Sequence, residues 1–183
     1  HALRASGMGF CLLGNVAIAA HYARRNKGLD RVLIVDWDVH HGNGTQALVE
    51  QDPSIRFVSM HQWPWYPGTG PGDDRGPHDN VWNVPMPAAR PREEYVSAFL
   101  TAVDAATAGF TPDLVFISAG FDSLAGDPLG GFTLEMDDVA RLTREMVSRA
   151  GQWCGGRVVS ALEGGYAPER LGEAAVTHLK ALL

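Results

Sequence analysis

The sequence has few cysteines and no long hydrophobic segment, and both absences limit the classes of protein to which it can belong. Its two cysteines, Cys11 and Cys154, lie far apart in 183 residues and lack the spacing of a disulfide framework. Isolated thiols of this kind are typical of a reducing compartment. No apolar run approaches the ~20 residues that a membrane-spanning helix needs. No secretory signal pattern is visible either, although the chain begins at His1 rather than Met. The sequence therefore predicts a cytoplasmic protein without a membrane partner.

Basic residues are also scarce. The chain has 15 Lys and Arg residues against 21 Asp and Glu residues, which gives a net charge of −6. Non-specific nucleic-acid binding needs a basic surface, so a direct nucleic-acid partner is not expected. Internal repeats, low-complexity tracts and linkers are absent. A hydrophobic fraction of 45% in a chain of this length predicts one globular unit with a sizeable core.

Segments with strand and helix patterns alternate along the chain. Apolar, β-branched segments predict strands at 31–35, 55–60, 81–84, 114–117 and 157–162. The spacing of apolar residues predicts helices at 10–26, 45–50, 93–108, 133–150 and 168–183. This alternation predicts an α/β fold of three layers, in which a mostly parallel sheet carries helices on both faces. The segment 62–80 is rich in Pro, Gly and Asp and predicts a long functional loop.

The stretch from Asp36 to Gly44 follows the first predicted strand and is rich in carboxylates and imidazoles. In an extended backbone Asp36, Asp38 and His40 share one side, because successive side chains of a strand alternate. Burial of an unpaired charge is unfavourable in free energy, so we expect a bound cation to neutralise these groups. Carboxylate oxygen together with imidazole nitrogen suits zinc or a similar divalent metal. The alternative is a polar surface loop that happens to follow a strand.

Polar residues follow the ends of four predicted strands. They occupy 36–41, 59–61, Asp122 and 163–166. In an open parallel sheet the carboxyl ends of the strands share one edge, and ligands bind beyond that edge. We therefore expect these four segments to converge on a single active site.

Several segments together resemble the motifs of one enzyme family. They read DWDVHHGNGT at 36–45, SAGFD at 118–122, GDPLG at 126–130 and EGGY at 163–166. PGTG at 67–70 and GFC at 9–11 add to the pattern. Over nearly its whole length the chain resembles the zinc-dependent histone deacetylases of the class II type and their bacterial relatives, which include acetylpolyamine amidohydrolases. The resemblance implies an arginase/deacetylase-like fold and favours a bacterial origin.

The resemblance implies a zinc ion held by Asp38, His40 and Asp122, with one position open for water or substrate. It also implies a structural K⁺ (or Na⁺) beside the zinc, held by Asp36 and Ser59 together with backbone oxygens. Three protein ligands and one open position are typical of catalytic rather than structural zinc.

The resemblance also implies catalytic roles for two residues beside the zinc. His1 stands where the family has the second of two adjacent histidines and would act as general base on water, with Asn43 as its hydrogen-bond partner. Tyr166 would donate its hydroxyl to the developing oxyanion. The flanking Gly165 lets the backbone place that ring. The first histidine of the pair would precede residue 1, so we expect 1–183 to be the C-terminal, metal-site-bearing part of a single deacetylase domain, with little activity on its own.

The function that the resemblance implies is a zinc-dependent amidohydrolase that removes an acetyl group from an acetylated amine by attack of metal-activated water. The expected substrate is an acetylated lysine peptide or an acetylated polyamine. Phe10 and Tyr66 would form the channel walls around its aliphatic arm.

Two other functions remain open from the residues. The first is an arginase-like dimanganese hydrolase, which needs further carboxylates close to Asp122; the following residues, 123–125, supply none. The second is a non-catalytic metal-binding scaffold or acyl-ligand sensor.

The remaining histidines are predicted to have structural or solvent-exposed positions. His41 should face away from His40 and act as a hydrogen-bonded structural imidazole. His21, His78 and His178 are predicted on the solvated surface.

Overall fold

The structure is a computed structural model that describes all residues from 1 to 183. It contains one sheet of five strands in the order β3-β2-β1-β4-β5, and every neighbouring pair is parallel. The strands are β1 (Val32–Asp36), β2 (Ile55–Gln62), β3 (Val81–Met86), β4 (Leu114–Ala119) and β5 (Val158–Leu162). The predicted parallel sheet is therefore confirmed, and β1, which carries the Asp36 segment, lies at its centre.

Five helices cover the two faces of the sheet. They are α1 (Asn15–Lys27), α2 (Asn43–Val49), α3 (Arg92–Thr107), α4 (Met136–Cys154) and α5 (Pro168–Leu182). Side chains of β1 alternate between two apolar cores: Leu33 and Val35 face α3, α4 and α5, whereas Val32 and Ile34 face α1 and α2. Both cores exclude water, so the prediction of three layers is confirmed.

The predicted helix at 10–26 begins later than the apolar spacing indicated. Gly9 and Phe10 have φ of 57° and 62°, so the chain turns there, and α1 starts only at Asn15. Leu12 and Leu13, which continued the helical pattern, are 88% and 64% exposed.

The predicted strand at 81–84 extends to Met86, through Pro85. Because β3 is an edge strand, the missing N–H of this proline removes no hydrogen bond from a further neighbour. The strand therefore continues past the residue that ended the prediction.

The prediction of a solvated His178 was wrong. This side chain is 5% exposed and lies between two hydroxyls, with Nδ1 2.7 Å from Thr143 Oγ1 and Nε2 2.7 Å from Ser160 Oγ. It thereby joins α5 to α4 and β5. His21 is half-buried, with Nε2 2.9 Å from the carbonyl oxygen of Leu48, whereas His78 is exposed as predicted.

The buried His178 should make stability depend on pH. Burial lowers the pKa of His178 below its ordinary value of 6.5, so the folded state keeps the imidazole neutral where the unfolded state takes up a proton. Its contribution is complete above pH 6.5 and is lost as pH falls below that value. When the pH is lowered from 7.5 to 5.5, protonation of His178 should lower the unfolding free energy of the wild type by up to about 1 kcal/mol. We expect the His178→Gln variant to lack this part of the decrease.

Urea denaturation at the two pH values measures this difference. The exposed His78→Gln variant is the control and should keep the wild-type dependence on pH. An unchanged dependence in His178→Gln would show that this histidine is not the titrating group.

No helix combines the length and the apolar character that crossing a membrane requires.

Candidate metal centre and active site

The segment after β1 curls instead of continuing as an extended strand. Asp36 Oδ1 accepts a hydrogen bond from Asp38 N at 3.0 Å, and Asp38 Oδ1 accepts one from His40 N at 2.8 Å. A hydrogen bond that a backbone N–H donates to the carboxylate two residues earlier is typical of a turn. The expectation of an extended backbone from Asp36 to His40 was therefore wrong, although the turns do bring Asp38 and His40 into contact with each other.

Asp122 reaches the same place from the end of the neighbouring strand β4. It is fully buried, and its Oδ1 accepts a hydrogen bond from Val39 N at 2.8 Å. His40 Nδ1 lies 3.1 Å from Asp122 Oδ2 and 3.1 Å from Asp38 Oδ1. One imidazole nitrogen thus faces two carboxylate oxygens.

A glycine that follows β5 closes this cluster. Gly164 N donates to Asp38 Oδ2 at 2.8 Å, which leaves that carboxylate with both oxygens bonded. A Cβ at Gly164 would collide with carboxylate oxygens of Asp122 and Asp38, so no larger residue fits. The next residue, Gly165, has φ of 144°, a value that side-chain-bearing residues rarely adopt, and directs the chain towards Tyr166.

The electrostatics show that these groups share positive charge. Burial works to lower the pKa of His40, but its hydrogen bonds with Asp122 and Asp38 outweigh burial and raise that pKa to about 10. Burial raises the pKa of Asp122, and the nearby Asp38 adds to the effect. Two carboxylates and an imidazole that compete for one positive charge have the ligand types and the number of a three-ligand zinc site.

His1 lies beside this cluster and offers an overlapping set of ligands. One ligand atom from each of His1, Asp38 and His40 lies within 4.8 Å of the others. However, His1 Nδ1 lies only 2.6 Å from Asn43 Oδ1, so this nitrogen is already engaged. Asp122 Oδ2, by contrast, has no hydrogen-bond partner other than His40. We therefore favour Asp38, His40 and Asp122 as the set that could hold a metal.

Asn43 fixes the proton positions on His1. Its Nδ2 donates to the carbonyl oxygen of His1 and to Met8 Sδ, both at 3.3 Å, so its Oδ1 faces the ring. His1 Nδ1–H is then the donor to Asn43, and Nε2 is left with a lone pair. The ring centroid of His1 lies 6.0 Å from that of His40, so the predicted base and the predicted ligand are neighbours.

Tyr166 faces the cluster from the segment after β5. Its N–H donates to Asp127 Oδ2 at 2.7 Å, and its ring packs edge-on against Phe10 with centroids 6.0 Å apart. Burial raises the pKa of Tyr166 to about 12, and the carboxylates of Asp122 and Asp38 add to this effect. The phenol therefore remains a hydrogen-bond donor at neutral pH.

The cluster opens into a channel with aromatic walls. A cavity of about 410 Å³ is lined by His1, Gly9, Phe10, His40, Trp65, Tyr66, Leu129 and Tyr166. The predicted wall residues Phe10 and Tyr66 both line it and are 87% and 46% exposed. Its rim is closed by a contact between two loops, because Trp65 Nε1 donates to the carbonyl oxygen of Leu129 at 2.9 Å.

Sequence reasoning gave no individual site role to Trp65, Asp127 or Leu129, although Trp65 lies in the loop that was predicted to be functional. Asp127 is buried and holds both the Tyr166 backbone and, through Oδ1, Leu129 N at 2.9 Å. The signal for Asp127 and Leu129 was the GDPLG motif at 126–130, to which no separate role had been assigned.

Asp36 and Ser59 lie behind the cluster as paired residues of β1 and β2. They are 3% and 0% exposed. Burial raises the pKa of Asp36 well above its ordinary value, and Asp38 adds to that rise. A buried carboxylate on a strand that pairs with a serine supplies oxygen ligands of the kind that a hard cation prefers.

His41 points away from the cluster, as predicted. Its Nδ1 lies 2.8 Å from Thr69 Oγ1 and its Nε2 lies 2.9 Å from Gln46 Oε1. Burial lowers its pKa to about 4, and the neighbouring His61 adds to this effect. The interpretation of His41 as a hydrogen-bonded structural imidazole is confirmed.

Comparison with known proteins agrees with this geometry. Residues 1–182 match the model of the histone deacetylase domain. The chain belongs to the histone deacetylase family. Its fold agrees with the crystal structure of the HDA15 HD domain, at a TM-score of 0.88 and 39% identity over 100% of this chain and 54% of that one. The resemblance found in the sequence, and the α/β fold that it implied, are therefore confirmed.

Relatives within the histone deacetylase family come from bacteria, plants and animals. The chain is 46% identical to the uncharacterized protein slr0245 of Synechocystis sp., covering 59% of that protein. It is 40% identical to the chloroplastic histone deacetylase 10 of Oryza sativa and 42% identical to the polyamine deacetylase HDAC10 of Homo sapiens, covering 42% and 28% of them. Each comparison matches all of this chain, whereas the chain spans between 28% and 59% of the length of these relatives.

Proposed function

We propose that this histone deacetylase family member is a zinc-dependent amidohydrolase that removes an acetyl group from an acetylated amine. One observation carries the proposal: His40 Nδ1 lies 3.1 Å from both Asp38 Oδ1 and Asp122 Oδ2. The same cluster opens into a channel that His1 and Tyr166 also line. A three-ligand metal site, a base and a hydroxyl donor in one channel are the groups that amide hydrolysis needs.

Asp38, His40 and Asp122 are the proposed zinc ligands. Bound zinc would lower the pKa of water and polarise the acetyl carbonyl. The histone deacetylase family is generally zinc-dependent, and the donor set here fits that ion.

His1 is the proposed general base. Its Nδ1–H is held by Asn43, so Nε2 is free to take a proton from water and later to deliver it to the leaving amine. Asn43 is neutral and orients the ring without adding a charge that would tie the proton to His1.

Tyr166 is the proposed donor to the oxyanion that develops during attack. Such a donor stabilises the transition state more than the ground state, because the oxygen gains charge as the reaction proceeds. Phe10 and Tyr66 would hold the aliphatic arm of the substrate, since both belong to the lining of the channel.

The arm of acetyl-lysine is neutral and suits the aromatic and aliphatic walls of the cavity. An adjoining cavity of about 620 Å³, which shares His1, Phe10, His40 and Tyr166 with it, also contains Asp36, Asp38 and Glu163. The further ammonium groups of a polyamine need nearby negative charge of this kind when they leave water. Acetyl-lysine peptides and acetylated polyamines are therefore both proposed substrates, and one relative is a polyamine deacetylase.

Asp36 and Ser59 are the proposed ligands of a monovalent cation, K⁺ or Na⁺. Burial raises the pKa of Asp36, because it disfavours the ionised carboxylate. A positive charge beside Asp36 would stabilise the ionised form and the turn that begins at this residue.

The 183 residues are proposed to be the C-terminal, metal-site-bearing part of a single deacetylase domain. The support comes from the outer edge of the sheet. β5 is an edge strand, and its Val159 and Leu162 are 47% and 59% exposed. An unpaired apolar edge is prone to association, so a further part of the domain is expected to cover it.

Acetate release before and after metal removal tests the proposal. The complete protein that contains this chain is incubated with acetyl-lysine peptides and with acetylated polyamines, then treated with a chelator and given back zinc. We expect the chelator to abolish release and one equivalent of zinc per chain to restore it, and the preferred substrate separates the peptide from the polyamine.

Three other outcomes would contradict parts of this proposal. Release that survives removal of all metal would exclude a metal-dependent mechanism. Activity that requires two manganese ions per chain would instead indicate a dimanganese hydrolase. A folded protein that binds one zinc and releases acetate from neither substrate would favour a non-catalytic acyl-ligand sensor.

A further inference from the structure

Two buried imidazoles that the proposed chemistry does not use hold the long loop at 62–80. His41 and His61 are 2% and 0% exposed, and their ring centroids lie 4.6 Å apart. They bind consecutive residues of the loop: His41 Nδ1 lies 2.8 Å from Thr69 Oγ1, and His61 Nε2 lies 2.9 Å from the carbonyl oxygen of Gly70. We name these four residues the imidazole clamp.

The direction of the hydrogen bond between His41 and Thr69 follows from the neighbouring side chains. Gln46 Nε2 donates to Asp74 Oδ2 at 2.8 Å, and this contact turns Gln46 Oε1 towards the imidazole. His41 Nε2–H donates to that oxygen at 2.9 Å, so Nδ1 carries a lone pair. The Thr69 hydroxyl is therefore the donor to His41, and without it a buried acceptor would have no partner.

The second half of the clamp leaves no freedom at Gly70. The carbonyl oxygen of Gly70 accepts a hydrogen bond from His61 Nε2 at 2.9 Å, and His61 Nδ1 lies 3.2 Å from Ser59 Oγ and 3.1 Å from the carbonyl oxygen of Ser59. Gly70 has φ of +87°, and a Cβ there would lie 2.6 Å from the ring of His41. The loop backbone is thus pressed against one imidazole while the other binds it.

The clamp lies three residues beyond the aromatic wall of the channel. The ring centroid of Tyr66 is 5.5 Å from that of His1 and 6.0 Å from that of His40. On the other side of Tyr66, Trp65 is fixed by its hydrogen bond to the Leu129 carbonyl. The loop is therefore hydrogen-bonded to other parts of the protein on both sides of Tyr66.

We infer that His41 and His61 are positioning residues that hold Tyr66, through Thr69 and Gly70, as the channel wall against which the acetylated arm of the substrate packs. The inference rests on the proposed function for the identity of that arm. Because His41 follows the ligand His40 directly, the clamp also joins the wall of the channel to the metal centre through one peptide bond. A loosened clamp should therefore weaken binding of the arm more than it slows the reaction of bound substrate.

Thr69→Val tests the clamp, because it keeps the shape of threonine and removes only the hydroxyl. In the complete protein we expect KM for an acetyl-lysine peptide to rise about five- to tenfold, as for loss of one buried hydrogen bond, with kcat changed less than about twofold. Amide hydrogen exchange at 63–70 should become faster in the same variant. Thr69→Ser restores the hydroxyl and should return both measurements to wild-type values. Thr101→Val, on the exposed side of α3, is the matched control.

The two measurements separate the failure of this inference from the failure of the proposed function. Unchanged hydrogen exchange in Thr69→Val overturns the clamp whatever the activity. Faster exchange with an unchanged KM also overturns it, because the loop would then move without affecting the substrate. If wild-type protein releases no acetate, the proposed function fails and Kd for the same peptide replaces KM: weaker binding in Thr69→Val supports the clamp, and equal or absent binding overturns it.

Discussion

The Asp122→Asn variant is expected to bind zinc more than about a hundredfold more weakly than the wild type and to release acetate only at a background rate. Asp122 is fully buried, and its Oδ2 is one of only two carboxylate oxygens that lie 3.1 Å from His40 Nδ1. An amide has no negative charge with which to bind the ion, whereas the shape of the side chain is preserved. The substitution therefore removes a ligand without creating a cavity.

The same variant should have a stability close to that of the wild type when both lack metal, because two effects oppose each other. Burial raises the pKa of Asp122, and Asp38 adds to the rise, so asparagine removes an unfavourable buried charge. It also removes the hydrogen bond between Asp122 Oδ2 and His40 Nδ1, whereas its Oδ1 can still accept the one that Val39 N donates at 2.8 Å. Zinc at 100 times its Kd should then raise the unfolding free energy of the wild type by about 2.7 kcal/mol and that of Asp122→Asn by almost nothing.

Metal analysis and urea denaturation with and without zinc measure both effects. Asp104→Asn is the matched control, because its side chain is 63% exposed beside Arg149, and it should behave as the wild type. Wild-type zinc affinity in Asp122→Asn would contradict the proposed ligand set. In that case His1 would be the third ligand, since its ligand atom lies within 4.8 Å of those of Asp38 and His40.

The edge of the sheet at which these residues meet could be predicted from the sequence. The apolar runs at 32–35 and 114–117 have the length and composition of strands that are buried on both faces, and such strands occur in parallel sheets. Parallel strands place their carboxyl ends at one edge, so the Asp36 segment and Asp122 could be placed at the same edge once the sheet was inferred. In the structure Asp36 pairs with Ser118 of β4, four residues before Asp122. Short-range periodicity was sufficient for this step.

Contacts between distant segments could not be predicted in the same way. The Trp65–Leu129 hydrogen bond joins loops that are 64 residues apart, and the contact of His178 with Thr143 joins helices across 35 residues. Local sequence patterns do not predict contacts between residues that are far apart in the chain, so His178 was wrongly predicted to be solvent-exposed. The late start of α1 has a different cause. The chain turns at Gly9 and Phe10, which have positive φ values, and such a turn does not alter the spacing of apolar residues from which the helix was predicted.

Replacement of Tyr166 by Phe should separate catalysis from metal binding. We expect kcat to fall about 10²–10³-fold, whereas KM and zinc content stay near wild-type values. The backbone N–H of residue 166 keeps its hydrogen bond to Asp127, and the ring keeps its edge contact with Phe10, so only the hydroxyl is lost. Steady-state kinetics and metal analysis on the same preparation measure both quantities.

Tyr22→Phe provides the matched control, since Tyr22 is 53% exposed on α1 and should be replaceable without effect. A fully active Tyr166→Phe variant would contradict the oxyanion role, and a loss of zinc together with activity would instead assign Tyr166 to the integrity of the metal centre. The expected pattern is the opposite of that for Asp122→Asn, which loses the ion and its stabilising effect together. If both patterns are observed, the metal site and the oxyanion donor are separable parts of one channel, because each can be removed while the other remains in place.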